Sequence, residues 1–227
     1  VYIETEKANE IGAIWTKPTS QITDDEYKEF YKFIARRDDA PLFKIHKSLD
    51  APLQFYMLVY CPEKNYNFFG MPEKEYGLSL YSNKVLIQEE CKDLLPQYFK
   101  FIKGIIDSSD ISLNISRETI QNNAVVQKIK NIIIKSIITE LERLLETDRT
   151  KYAQFYKEFS RELKEDIHLD FANREKLAGL LLFKSSMSVD GDNTITLKEY
   201  VSRKKSKQKE IYYISDADLK IIEKSPY

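Results

Sequence analysis

The residues best placed to do chemistry lie between Phe101 and Gln121, in the run FIKGIIDSSDISLNISRETIQ. A short apolar stretch leads to a turn held by Asp107, Ser108 and Asp110, after which Asn114 and Ser116 are candidate caps for a long helix entered at Arg117. An arginine in a first helical turn opposes the macrodipole at a cost of about 0.3 to 1 kcal/mol, so a compensating partner is expected. Glu118, its neighbour, is one candidate. An anion is the other, because free N-terminal amides and a guanidinium would both point toward it. On that alternative Arg117 would stabilise charge developing on a phosphate bound elsewhere.

Other chemistries find less support. The six glycines form neither GxxxxGK nor GxGxxG, so a phosphate cradle of the familiar backbone kind is not expected. His46 and His168 fall in unrelated blocks, and each reads as an ordinary structural residue rather than half of a catalytic pair. Cys61 and Cys91 show no CxxC or CxxH spacing and read as small buried hydrophobes. The loop Ser188 to Glu199, SVDGDNTITLKE, places Asp190, Asp192, Ile195 and Glu199 at positions three, five, eight and twelve of an EF-hand. Ser188 and Asn193 break that pattern, and the alternative is a polar loop with Thr196 as N-cap and Glu199 closing a capping box. No metal site is therefore assigned. The basic run Arg203, Lys204, Lys205, Lys207 and Lys209 reads as a solvated helix end, with no aromatic residues interleaved to stack bases.

The elements that must position Arg117 can be read from periodicity. With 227 residues, 42% of them hydrophobic, the chain can bury one sizeable core or one core plus a satellite. Its formal charge of -1 supplies no overall field toward nucleic acid or anionic lipid. No run of about 18 apolar residues offers a membrane span, so neither a nucleic acid nor a membrane partner is expected. Thr23 and Glu26 have capping-box spacing ahead of a helix from about Asp24 to Arg37, with Tyr27, Phe30, Tyr31 and Ile34 on one face. Strand-like runs follow at Phe43 to Lys47, Leu53 to Cys61, Leu78 to Ser82 and Lys84 to Gln88. Leu94 to Lys103 reads as a helix with Tyr98, Phe101 and Ile102 inward and Gly104 as its stop.

From Glu118 to about Glu146, Ile120, Val125, Ile129, Ile133, Ile137, Leu141 and Leu144 mark one buried stripe. A second helix, Lys151 to Ile167, carries Tyr152, Phe155, Phe159 and Leu163. Beyond it come a helix near Asn173 to Phe183, another from Leu197, and a single strand-like run, Ile211 to Ile214. Such a strand needs partners, so the chain is expected to stop before they arrive. The fold class expected is α/β: a large layered domain over 1–143, a helical connector over 144–170, and a smaller α/β domain over 171–227, truncated at its C-terminal end.

Taken together, these residues resemble the heat-shock protein 90 chaperones. The resemblance runs through IWTKP at Ile14 to Pro18, DEYKEFYKF at Asp25 to Phe33, LYSNKVLIQ at Leu80 to Gln88 and LLPQYFKFIKGIIDSSD at Leu94 to Asp110. It continues through LNISRETIQ at Leu113 to Gln121, then EYVSRKK and IYYI, covering nearly the whole chain in order. It implies the family's middle domain. Arg117 then looks like the catalytic arginine that meets the terminal phosphate of ATP, Gln121 like its supporting polar residue, and Asn114 like the asparagine that helps place it. ATP and Mg would be held mainly by an N-terminal domain that also carries the general-base glutamate, so this segment alone is expected to be monomeric and without ATPase activity. The full-length protein is expected to be a homodimeric ATPase that binds client proteins and co-chaperones.

Trp15 falls on a family tryptophan associated with client contact. It is either an exposed anchor or a half-buried plug. Phe68 and Phe69, in the short loop Tyr66 to Met71, form a second apolar candidate. The brevity of that loop, with LYSNKVLIQ and Asp50 to Leu53, resembles the mitochondrial and bacterial-type branch. A mitochondrial or other organellar location is expected on that ground, with the cytoplasm as the alternative. The competing function is a stand-alone α/β interaction module tuned by calcium at Ser188 to Glu199.

Overall fold

The computed structural model describes residues 12–65, 76–111, 120, 123–165, 167–185, 194–216 and 221–222. The chain divides into two compact units, Val1–Leu177 and Ala178–Tyr227. The first contains helix α1 (Asp24–Ala35) and strands β1 (Pro41–Leu49), β2 (Phe55–Pro62), β3 (Leu78–Ser82), β4 (Val85–Cys91) and β5 (Lys103–Ser108). Helices α2 (Ala124–Thr147) and α3 (Arg149–Lys164) follow.

The strands form a five-stranded sheet in the order β1-β2-β5-β3-β4. Its pairs are antiparallel except β3 with β5, which run parallel. Interior strand β2 is buried on both faces because both are covered. On one face Leu58, Tyr60 and Ile105 pack with Tyr27, Phe30 and Tyr31 of α1 and with Ile14, Trp15 and Ile22. On the other, the sheet meets the helices: Phe43 of β1 lies against Phe155 of α3, and Phe101, just ahead of β5, stacks on Phe159 with centroids 4.3 Å apart. The expected α/β layering is therefore present.

Local signals produced their elements directly. The Thr23 Oγ1 accepts the Glu26 N–H while the Glu26 carboxylate accepts the Thr23 N–H, and α1 starts there. In α3, Tyr152, Phe155, Phe159 and Leu163 are all buried, as their spacing implied.

Four expectations are corrected. Leu94 to Lys103 is not a helix: Lys92–Leu94 and Gln97–Phe99 are short 3₁₀ turns separated by Leu95 and Pro96, and Lys103 already belongs to β5. Leu94, Leu95, Tyr98, Phe99, Phe101 and Ile102 are all buried, which no one-faced helix could achieve. Gly104 accordingly ends no helix. It lies in β5 at φ +149, where a Cβ would stand 2.3 Å from the Leu58 carbonyl oxygen.

The long helix expected from Glu118 has its N-cap at Asn123, whose Oδ1 accepts the N–H groups of Val125 and Val126, and Val126 rather than Val125 joins the buried stripe. Asp107 and Ser108 were expected in a turn, and they are instead the last residues of β5, so the turn begins at Ser109.

The second unit supplies the fourth correction. Helix α4 (Arg174–Gly179) straddles the division and is shorter than expected. Strands β6 (Leu182–Lys184) and β7 (Thr194–Thr196) pair antiparallel, and α5 (Leu197–Ser202) follows. The strand-bearing residues are thus these two short runs. Ile211 to Ile214, expected as the strand, form no regular element and are exposed.

Candidate functional site

Asn114, Arg117 and Gln121 lie outside the described residues, as do Phe68 and Phe69. What the structure gives is the scaffold on either side of 112–119: β5 and its exit before it, Asn123 and α2 after it.

The exit of β5 is built around Asp107, a carboxylate only 3% exposed. Its Oδ2 accepts the Trp15 indole N–H at 2.9 Å and the backbone N–H of Lys84 at 3.0 Å. Lys84 follows Asn83 in the tight β3–β4 turn, where both residues adopt positive φ, 66° and 51°. One buried acid therefore ties together the entry segment, the β3–β4 hairpin and the strand that leads to 112–119. A buried polar group persists only when it is hydrogen-bonded this way.

Trp15 is 6% exposed and sits among Phe30, Tyr81 and the α1 core, which decides between its two readings in favour of the plug. Its carbonyl is held as well. His46 of β1 directs Nε2 to the Trp15 carbonyl at 2.9 Å and Nδ1 to the Tyr27 hydroxyl at 2.7 Å. Sequence reasoning missed Asp107 as a hub by reading it as a turn former. The available signal was an acid at the end of the apolar run Ile105–Ile106, a place that demands donors from elsewhere in the chain.

The remaining candidates resolve locally. Thr196 Oγ1 accepts the Glu199 N–H at 3.1 Å and Glu199 Oε2 accepts the Thr196 N–H at 2.6 Å, so the glutamate of the EF-hand pattern closes a helix cap. Ser188, Asp190, Asp192 and Asn193 lie outside the described residues. Among the described residues no group of three His, Cys, Asp or Glu could hold a metal ion, and no helix is long and apolar enough to cross a membrane. The run Arg203 to Lys209 follows the end of α5, with Arg203 bonded to Ser185 and Lys204 to the Lys209 carbonyl. Cys61 and Cys91 are both buried, and burial raises the Cys61 thiol well above its ordinary range.

Comparison with known proteins extends the picture across the chain. Residues 1–227 match the family model described as Hsp90 protein. The chain is 41% identical over 225 residues to the chaperone protein HtpG of Geobacter sulfurreducens, covering 99% of this chain and 34% of that protein. It is 42% identical over 223 residues to HtpG of Francisella tularensis subsp. novicida, covering 98% and 35%. For HtpG of Desulfitobacterium hafniense the identity is 40% over 227 residues, covering 100% and 37%. The chain thus spans about a third of the length of these relatives. A match that takes in both compact units and every residue of the chain leaves one assignment: the chain belongs to the Hsp90 family.

Proposed function

We propose that this chain is the middle segment of an ATP-dependent chaperone, and that it completes the ATPase site by presenting Arg117 to nucleotide held by the family's N-terminal domain. The observation that carries the reading is similarity to HtpG chaperones over nearly all of the chain. In this role Arg117 stabilises charge on the transferring phosphate, Gln121 supports it and Asn114 helps place it, while ATP and Mg are bound by the other domain. The whole protein is a homodimer acting on client proteins, with co-chaperones as further partners. The finer division into 1–143, 144–170 and 171–227 belongs to the same proposal, with α3 as the connector.

Client contact is proposed at Phe68 and Phe69. Trp15 could reach a client only after its indole left Asp107 and its carbonyl left His46. The branch reading, close to the mitochondrial TNF-receptor-associated protein or to bacterial members, rests on the short loop Tyr66 to Met71 and on LYSNKVLIQ. Identity of 40 to 42% with bacterial HtpG proteins supports the bacterial half of it. An organellar location rests on those sequence features alone, and the cytoplasm suits the bacterial half equally well.

The test is Arg117→Ala in the full-length protein. Turnover should fall by about 10³-fold, the lower bound for arginine fingers, while nucleotide affinity changes little. Normal turnover in that variant would remove the reading.

A further inference from the structure

Three of the buried polar side chains among the described residues, Ser82, Asp107 and Ser108, gather where β5 ends. Each makes at least one hydrogen bond to backbone. The Ser82 Oγ donates to the Ile111 carbonyl at 2.6 Å. Ser108 Oγ donates to the Gln54 carbonyl at 2.8 Å and accepts the Asp110 N–H at 3.2 Å. Asp110 answers across the same gap, its Oδ2 accepting the Gln54 N–H at 2.9 Å. Asp107, as described, holds the Lys84 N–H.

The β2–β5 ladder stops at Ser108, which pairs with Phe55. Beyond that point a strand ordinarily loses its hydrogen bonds and frays. Here the Ser82 side chain from β3, and the Ser108 and Asp110 side chains of the exit itself bonding Gln54, take over as far as Ile111, after which 112–119 begin. Burying hydroxyls 1% exposed, as Ser82 and Ser108 are, gains little net stability over alanine, because the hydrogen bond mainly repays desolvation. What such bonds do supply is direction. They hold the backbone of 107–111 on one trajectory from the hairpin side, through Ser82, and from the β2 side, through Ser108.

We infer that Ser82 and Ser108 are positioning residues for the ATPase reaction: they fix the stem, residues 107–111, that immediately precedes the Arg117 segment in the chain. The inference rests on the role proposed above for Arg117. Neither serine need touch nucleotide, and a displacement of about 1 Å at a reacting group can cost on the order of 100-fold in rate.

The experiment measures ATPase kcat, nucleotide Kd and thermal midpoint for full-length Ser82→Ala, Ser108→Ala, Arg117→Ala and the two serine–arginine double variants. Each serine variant is expected to lower kcat by roughly 10-fold or more while leaving nucleotide Kd within about twofold. In the Arg117→Ala background the same serine changes should lower kcat no further, because nothing remains to be positioned. Serine variants that turn over normally while Arg117→Ala is slow would overturn the inference and leave the Arg117 reading standing. Slowing that multiplies in the double variants would also overturn it, by marking a general loss of structure. A normal Arg117→Ala removes both. Because the two serines act from opposite sides of the stem, either one alone carries the comparison if the other variant fails to fold.

Discussion

His46 makes two hydrogen bonds that assign its tautomer. A carbonyl oxygen can only accept, so Nε2, 2.9 Å from the Trp15 carbonyl, carries the proton, and Nδ1 accepts from the Tyr27 hydroxyl. Burial lowers its pKa below 6.5, the Trp15 carbonyl opposes that shift, and nearby Lys44 adds to it. Lys44 also lies 4.2 Å from the Tyr27 ring centroid and pairs with Asp24 at 3.0 Å. With the folded pKa depressed, the unfolded chain binds more protons in the window just below pH 6.5. Stability is therefore full above that value and declines as pH falls through the window. Asp24, Glu26 and Asp170 have lowered pKa values, so their contributions are lost only within or beneath the ordinary carboxylate range. Denaturant midpoints between about pH 7 and 5 should fall for the wild-type chain and fall less for His46→Gln. Equal slopes would mean that His46 is not held neutral. At this scale the sequence spoke where partners are near and was silent where they are far. His46 was legible as structural, but the bond that buries Trp15 joins it to Asp107, 92 positions away.

Elements divide along the same line. Both capping boxes, Thr23 with Glu26 and Thr196 with Glu199, were legible because the bonding groups sit three residues apart. The stretch Leu94 to Lys103 was misread because its apolar spacing admits a helix, while the deciding fact, burial on every side against α2 and α3, is tertiary. Gly104 makes the difference measurable. As a helix stop it would tolerate alanine at a cost of about 1 kcal/mol or less. As a β5 residue at φ +149, with a Cβ 2.3 Å from Leu58 oxygen and 2.6 Å from Val59 Cα, it cannot accept one without displacing β2. Gly104→Ala should therefore destabilise the chain by about 3 kcal/mol or more, read from urea unfolding. A loss below about 1 kcal/mol would argue against the close crossing of β5 and β2.

At the scale of the molecule, fold class was legible and topology was not. Alternating strand and helix patterns imply α/β layers, but nothing local tells β3 to run parallel beside β5 and separate it from β4. Nor does composition reveal that Ile211 to Ile214, so strand-like in sequence, lie exposed in this chain. The two compact units differ in what they bury. In Val1–Leu177 the sheet is covered on both faces, and Met57, Leu58, Val59, Ile105 and Ile106 are fully inaccessible. In Ala178–Tyr227 the described buried apolar residues are Leu180 and Leu182, whereas Val201, Tyr212, Tyr213 and Ile221 are exposed. A two-stranded sheet with three residues per strand has little to hold it. Local opening free energy should follow this asymmetry, since protection tracks the apolar surface that an opening must expose. In native-state hydrogen exchange on this chain, amides of β6 and β7 should open at least about 2 kcal/mol more easily than those of Val59 and Ile105. The amides of β2 and β5 should instead exchange only on global unfolding. Uniform protection across both sheets would mean that the chain unfolds as one cooperative body, and the division at Leu177 would then have no energetic counterpart.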